Sequence, residues 1–216
     1  MELNAAMAVP EAGVREEVLL GEVRALARQV CGTTVSVDGR GPASTALVPV
    51  AWQDWVRRYM RDVVVEEEWP VVVEAWSHAS SGRTRELLSL DRAWGMRVGM
   101  RPLAEASFRA GQRQLNRLRP LRDARVVQRY LAAVESGQAH GWHPVVYGMM
   151  LAVFGLPLRQ GLVHYADQVL GGFVEGLPHG MGAPEPERVR IAEEIGAGFL
   201  PALGRLLPAS GPFVVV

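Results

Sequence analysis

Two histidines three residues apart, His140 and His143, stand at the head of the most apolar stretch of the chain, inside ESGQAHGWHPVVYGMMLAVFGLP from Glu135 to Pro157. Neutral imidazoles bind nickel, zinc or copper, so a metal pair is one chemistry this spacing could support. Three or four protein ligands are normal, however, and no Cys, Asp or Glu lies within two residues of either histidine. Pro144 offers another explanation. Proline suits the first helical position, where its missing N–H costs nothing, and this puts His143 at the cap. On that reading His143 and Pro144 open a buried helix, Gly148 and Gly155 let neighbours approach it closely, and the metal reading of His140 and His143 is the weaker alternative.

Little else in the sequence could make or break bonds. There is no nucleophile elbow, phosphate-cradling glycine loop, paired zinc motif or dinucleotide fingerprint. Glu66, Glu67 and Glu68 follow an amphipathic helix and read as a solvated helix end. His78 and His164 lie in helical stretches beside polar neighbours, which suits solvated or singly hydrogen-bonded imidazoles. Cys31, the single cysteine, rules out an internal disulfide and a multi-cysteine zinc site. A pocket lined by His143, Tyr147 and His164, in a ligand-sensing module or small-molecule enzyme, is the alternative to a protein that binds other proteins.

The charges point the same way. All 23 basic residues are arginines, balanced by 23 acidic ones, and a nucleic-acid binder would carry a basic excess or stripe. Arg109, Arg113 and Arg117 recur every four residues, and Arg57, Arg58 and Arg61 cluster elsewhere; such stripes are solvated or steer an acidic partner. No basic leader or apolar signal stretch opens the sequence, and Pro144 to Leu156 is too short to span a bilayer. A cytoplasmic protein with no membrane span and no cofactor is the expectation.

The elements that must position these residues are helices. Residues 14–30 carry a helical stripe, whereas CGTTVSVDGRGPAST breaks the period and makes 31–50 a loop or small hairpin. Trp52, Trp55, Val56, Tyr59, Met60 and Val63 then fall on one helical face, with Asp54 and Arg58 as a surface pair. Pre-proline Trp69 marks a boundary, and Pro70 opens a second helix to about Ala79. Further helices are expected from Thr84 to Val98, from Arg101-Pro102 to Leu118, from an Asp123 N-cap to about Ser136, from Pro144 to Gly155, from Leu158 to Leu177, and from Pro186 to Leu206. Residues 208–216 form a tail ending in apolar Phe213 to Val216. Short connections between helices predict one all-α domain over 1–216, a bundle of about seven to nine helices around the all-apolar helix at 144.

Three stretches together resemble a known family. MRPLAEASFRAGQRQL, Met100 to Leu115, is similar to a segment of the urease accessory protein UreF family through Arg101, Leu103, Glu105, Ala106, Ser107 and Gly111. HPVVYG resembles the opening of that family's central helix through His143, Val145, Val146, Tyr147 and Gly148. VEGLPHGM resembles a third segment through Val174, Leu177, Pro178 and Gly180. With the helix rhythm from Ala51, the likeness spans about 160 residues by comparison of motif order and spacing. The family's N-terminal motif is not recognisable in VCGTTVSVDGRGPAST. In the third segment Glu175 stands where the family has a basic residue and Met181 where it has Gln, which reverses the sign of any charged contact made there.

The resemblance implies an all-α, usually dimeric protein that is not itself an enzyme. Such a protein joins a D- or H-type companion and recruits a GTPase that carries nickel to apo-urease. It implies partner-binding roles around Arg101, Glu105, Glu175, Pro178, Gly180 and Met181, and Arg109 of the arginine stripe is the further partner-binding candidate. Arg101 and Glu105, one turn apart, are also placed to orient the junction of two helices.

Overall fold

A computed structural model describes residues 48–99, 104–175 and 185–207, and every element in these segments is helical. The helix expected at 14–30, Cys31, Arg101, Pro178, Gly180, Met181 and the tail at 208–216 lie outside the described residues, as do residues 31–47 of the stretch expected as a loop or hairpin; its last three residues, 48–50, are already helical. Helix α1 (Val48–Arg58) passes into a π-helical stretch (Tyr59–Glu68) and on into α2 (Trp69–Ser80). Then come α3 (Thr84–Val98), α4 (Ala104–Leu118), α5 (Arg125–Glu135), α6 (His143–Val153), α7 (Leu158–Glu175), α8 (Glu185–Gly196) and α9 (Phe199–Leu206).

The expected break at Trp69 is absent, because the chain stays helical there: Trp69 has φ −58° and ψ −45°, and its N–H donates to the carbonyl of Val64, five residues back. Pro70 sits in the first turn of α2, so the residue that lacks an N–H falls where π bonding gives way to α bonding. The π turns also rephase the buried face. Met60 leads to Val64 and Val65, not to the expected Val63, and both are buried while Val63 is only partly so. As a result Glu68 turns inward with 7 % exposure, which corrects its reading as part of a solvated helix end. Asp54 pairs with Arg57 at 3.0 Å, not with Arg58.

Helix α6 lies at the centre, packed most extensively on α2 and next on α4. Its two sides serve two apolar clusters. Tyr147 and Leu151 join Val56, Met60, Trp69, Leu162 and Phe173, while Val145, Val146 and Met149 join Ala75, Leu87, Trp94, Leu115 and Tyr130. That is why the helix is apolar all round: a single polar face would point into one cluster or the other. Gly148 makes the contact with α2 possible, since a Cβ there would sit 2.4 Å from the carbonyl oxygen of Val72. Gly155 has a different role from the one expected. Nothing lies within 4 Å of its missing Cβ, and its φ of +61° makes it the left-handed residue that ends the helix.

Three boundaries also move. The N-cap of α6 is Trp142, one residue before His143, and that of α5 is Ala124 in place of Asp123; neither makes a side-chain cap bond. The last helix is divided at Ala197 and Gly198, with Gly198 becoming the N-cap of α9. The start of α7 is tied to the end of α9 where the Arg159 guanidinium donates to the carbonyl of Leu207.

A buried histidine, a pinned loop and an arginine-rich exterior

The two histidines face different partners. His143 is 5 % exposed, stacked on Tyr165 with ring centroids 5.0 Å apart, and edge-on to Tyr147 at 6.0 Å. The Tyr165 hydroxyl donates to Glu68 Oε2 at 2.9 Å and lies 3.2 Å from His143 Nδ1. A phenol has one proton and spends it on the carboxylate, so Nδ1–H of His143 must donate to the phenol oxygen. Nε2 is then left with a lone pair, which accepts from the Gln114 amide nitrogen at 3.3 Å. A directed chain therefore runs Gln114 to His143 to Tyr165 to Glu68, joining α4, α6, α7 and the π stretch. Tyr147 closes the same region by donating to the carbonyl of Gly161 at 3.1 Å.

Burial pulls the His143 pKa down to about 4, so the imidazole is neutral near pH 7. Burial, reinforced by the Glu68 charge and hydrogen bond, pushes Tyr165 well above the usual phenol range. A histidine whose folded pKa lies below its unfolded value of ~6.5 binds fewer protons when folded. Its contribution is thus fully present above pH ~6.5 and lost as pH falls towards 4, at a cost of order 3 kcal/mol. The melting temperature should fall over that window. His143→Gln, which has no proton to gain, should flatten this part of the profile, and an unchanged slope would assign it to other groups.

His140 lies in a loop that proves tightly fixed, although its glycines suggest otherwise. Asp91, fully buried on α3, accepts the backbone N–H of His140 at 2.5 Å, Gly141 at 3.0 Å and Trp142 at 3.2 Å. It also accepts the Tyr130 hydroxyl at 2.6 Å; burial first, then the Asp91 charge, push that phenol well above its ordinary value. From α4, the Gln112 amide donates to the His140 carbonyl at 2.5 Å. Gly137 and Gly141 take φ of +73° and +75° to make the turn. The His140 ring is half-exposed, with Nδ1 3.5 Å from Asp91, so it turns away from the partners of His143. Among the described residues no group of three or more His, Cys, Asp or Glu side chains is arranged to hold a metal ion.

Gly111, in the first family-like stretch, stands against this loop. A Cβ there would fall 1.9 Å from the Gly141 carbonyl oxygen and 2.7 Å from the His143 nitrogen, so α4 meets backbone directly. Glu105 and Arg109 pair across one turn of exposed α4 surface, and such pairs contribute little to stability. Arg109, Arg113 and Arg117 are all exposed. The pocket alternative is not assembled: His143 and Tyr147 are core residues, whereas His164 is exposed on α7, 2.8 Å from Gln168, and lines a groove of about 420 Å³ with Arg159, Asp167 and Leu200. His78 is 3.4 Å from Glu74 in a wider, open groove between α2 and α3.

Sequence reasoning missed Asp91, Glu68, Gln114, Tyr130 and Tyr165. A signal existed for two of them. Asp91 interrupts the stripe Leu87, Trp94, Val98, and Gln114 interrupts Ala110, Leu115, Leu118; a polar residue on a buried face demands a partner.

No curated protein and no solved structure matches the chain significantly. No helix among the described residues is long and apolar enough to cross a membrane. The UreF family model matches residues 49–175, which takes in the helical rod, the Gly111 contact, the pinned loop and the central helix. With that match covering more than half of an all-α chain, the protein belongs to the UreF family of urease accessory proteins.

Proposed function

We propose that this chain is a non-catalytic scaffold in urease maturation, one that binds a D- or H-type companion and a nickel-handling GTPase while nickel is delivered to apo-urease. Nickel is the cargo of that process and not a resident cofactor of this chain. The observation that carries the reading is the family match across 49–175, which includes the central helix, whose His143 is spent on internal hydrogen bonds. A histidine so enclosed organises helices; the outer surface is left for recognition. The working form is a homodimer in the cytoplasm.

Within this reading Arg101, Glu105, Arg109, Glu175, Pro178, Gly180 and Met181 border the partner surface, and Glu175 and Met181 set its specificity. Co-purification from the native host at low salt tests the assignment. Retention of accessory partners and a GTPase is expected, and loss of both would overturn it. Glu175→Arg should alter GTPase retention, because reversing one charge at an interface changes association more than folding. Equal retention by parent and variant would remove Glu175 from that surface.

A further inference from the structure

The chain is neutral as a whole, but its charge is unevenly placed. Between residues 106 and 134 there are seven arginines, all exposed, and one acid, Asp123. Arg109 is paired with Glu105, and Arg119 with Glu135 at 2.6 Å. Arg117, Arg122, Arg125 and Arg129, gathered around the corner where α4 turns into α5, have no ion pair among the described residues.

The corner is held in shape. The Gln128 amide donates to the carbonyls of Leu121 at 3.0 Å and Arg119 at 3.4 Å, and the N–H of Ala124 donates to Leu121. The arginines therefore project from fixed backbone, which lowers the ordering cost of engaging a partner. Leu121 and Val126 are partly exposed between them, giving the mixture of guanidinium and apolar surface found in protein interfaces.

We infer that the arginine corner formed by the end of α4 and the start of α5 is a docking surface for an acidic segment of a partner protein. Charge complementarity selects the occupant. Guanidinium forks match carboxylates in bidentate geometry. A nucleic acid fits less well, since residues 117–129 contain no aromatic side chain to stack on a base and the nearest, Tyr130, is fully buried. The inference does not rest on the urease reading, since it follows from the corner's own charges.

The test uses the full chain and a fluorescent glutamate decapeptide, with a single-stranded DNA decamer as the competing class, read by anisotropy at low and physiological (~0.15 M) ionic strength. Arg117→Gln/Arg122→Gln/Arg125→Gln/Arg129→Gln should weaken peptide binding about tenfold or more, with helicity and melting unchanged. Arg85→Gln/Arg92→Gln, on exposed α3, should bind as the parent does. Equal binding by parent and quadruple variant overturns the inference. So does tighter corner-dependent binding of the DNA, or salt-sensitive self-association that the quadruple variant abolishes, which would make a second copy the occupant.

Discussion

Asp91→Ala should be the most damaging single substitution in the helical core, lowering stability by about 4 kcal/mol or more. The native carboxylate satisfies three consecutive backbone N–H groups and the Tyr130 hydroxyl. Alanine would leave those donors without their acceptor in a region where His143, Trp142 and Tyr130 exclude water, and each unsatisfied buried donor costs about 1–3 kcal/mol. The damage would then spread to the start of α6, because the residues released are those that lead into it. Denaturant titration gives the number, and Tyr130→Phe supplies the scale. That variant loses one of the four bonds and should cost only about 1–2 kcal/mol. Equal losses from the two variants would mean that the backbone donors find other acceptors and that the loop is not held by Asp91.

Gly111→Ala should come next, with a loss of about 3 kcal/mol and a melting temperature lower by roughly 6–12 °C. What the new methyl meets decides the size. At Gly161 the nearest atoms belong to the Leu151 side chain, which can change rotamer, but at Gly111 they are the Gly141 oxygen and the His143 nitrogen. Backbone cannot step aside without moving α4 or the pinned loop. Gly137→Ala is the control. It has open space around the new methyl and a φ of +73°, so it should cost only the left-handed backbone penalty of about 1–2 kcal/mol. If both variants melt together, close approach is not what position 111 requires.

These two residues also mark where the sequence was legible. Gly111 belongs to a motif visible in the chain, and the order and class of the helices from Ala51 onward followed from apolar periodicity together with proline, glycine and cap signals. The central position of 144–156 followed from its lack of a polar side. Periodicity failed where bonding departed from the α pattern: it assumed 3.6 residues per turn through Tyr59–Glu68, so it placed Val63 inward and all three glutamates in solvent. It also gave no account of long-range polar pairing. Asp91 and its loop are about fifty residues apart, and Tyr165 and Glu68 nearly a hundred, so no local spacing connects them. The histidine pair was legible as a question, and its answer depended on groups supplied by four other elements.

The wide turns before Trp69 decide something the side chains themselves could not. Glu66, Glu67 and Glu68 are chemically identical, yet Glu68 accepts the hydrogen bond of the Tyr165 hydroxyl, while Glu66 faces Arg205 and Glu67 faces Arg97. Winding, not acidity, sorts three interchangeable carboxylates into one interior anchor, one half-buried partner of Arg97 and one exterior partner of Arg205.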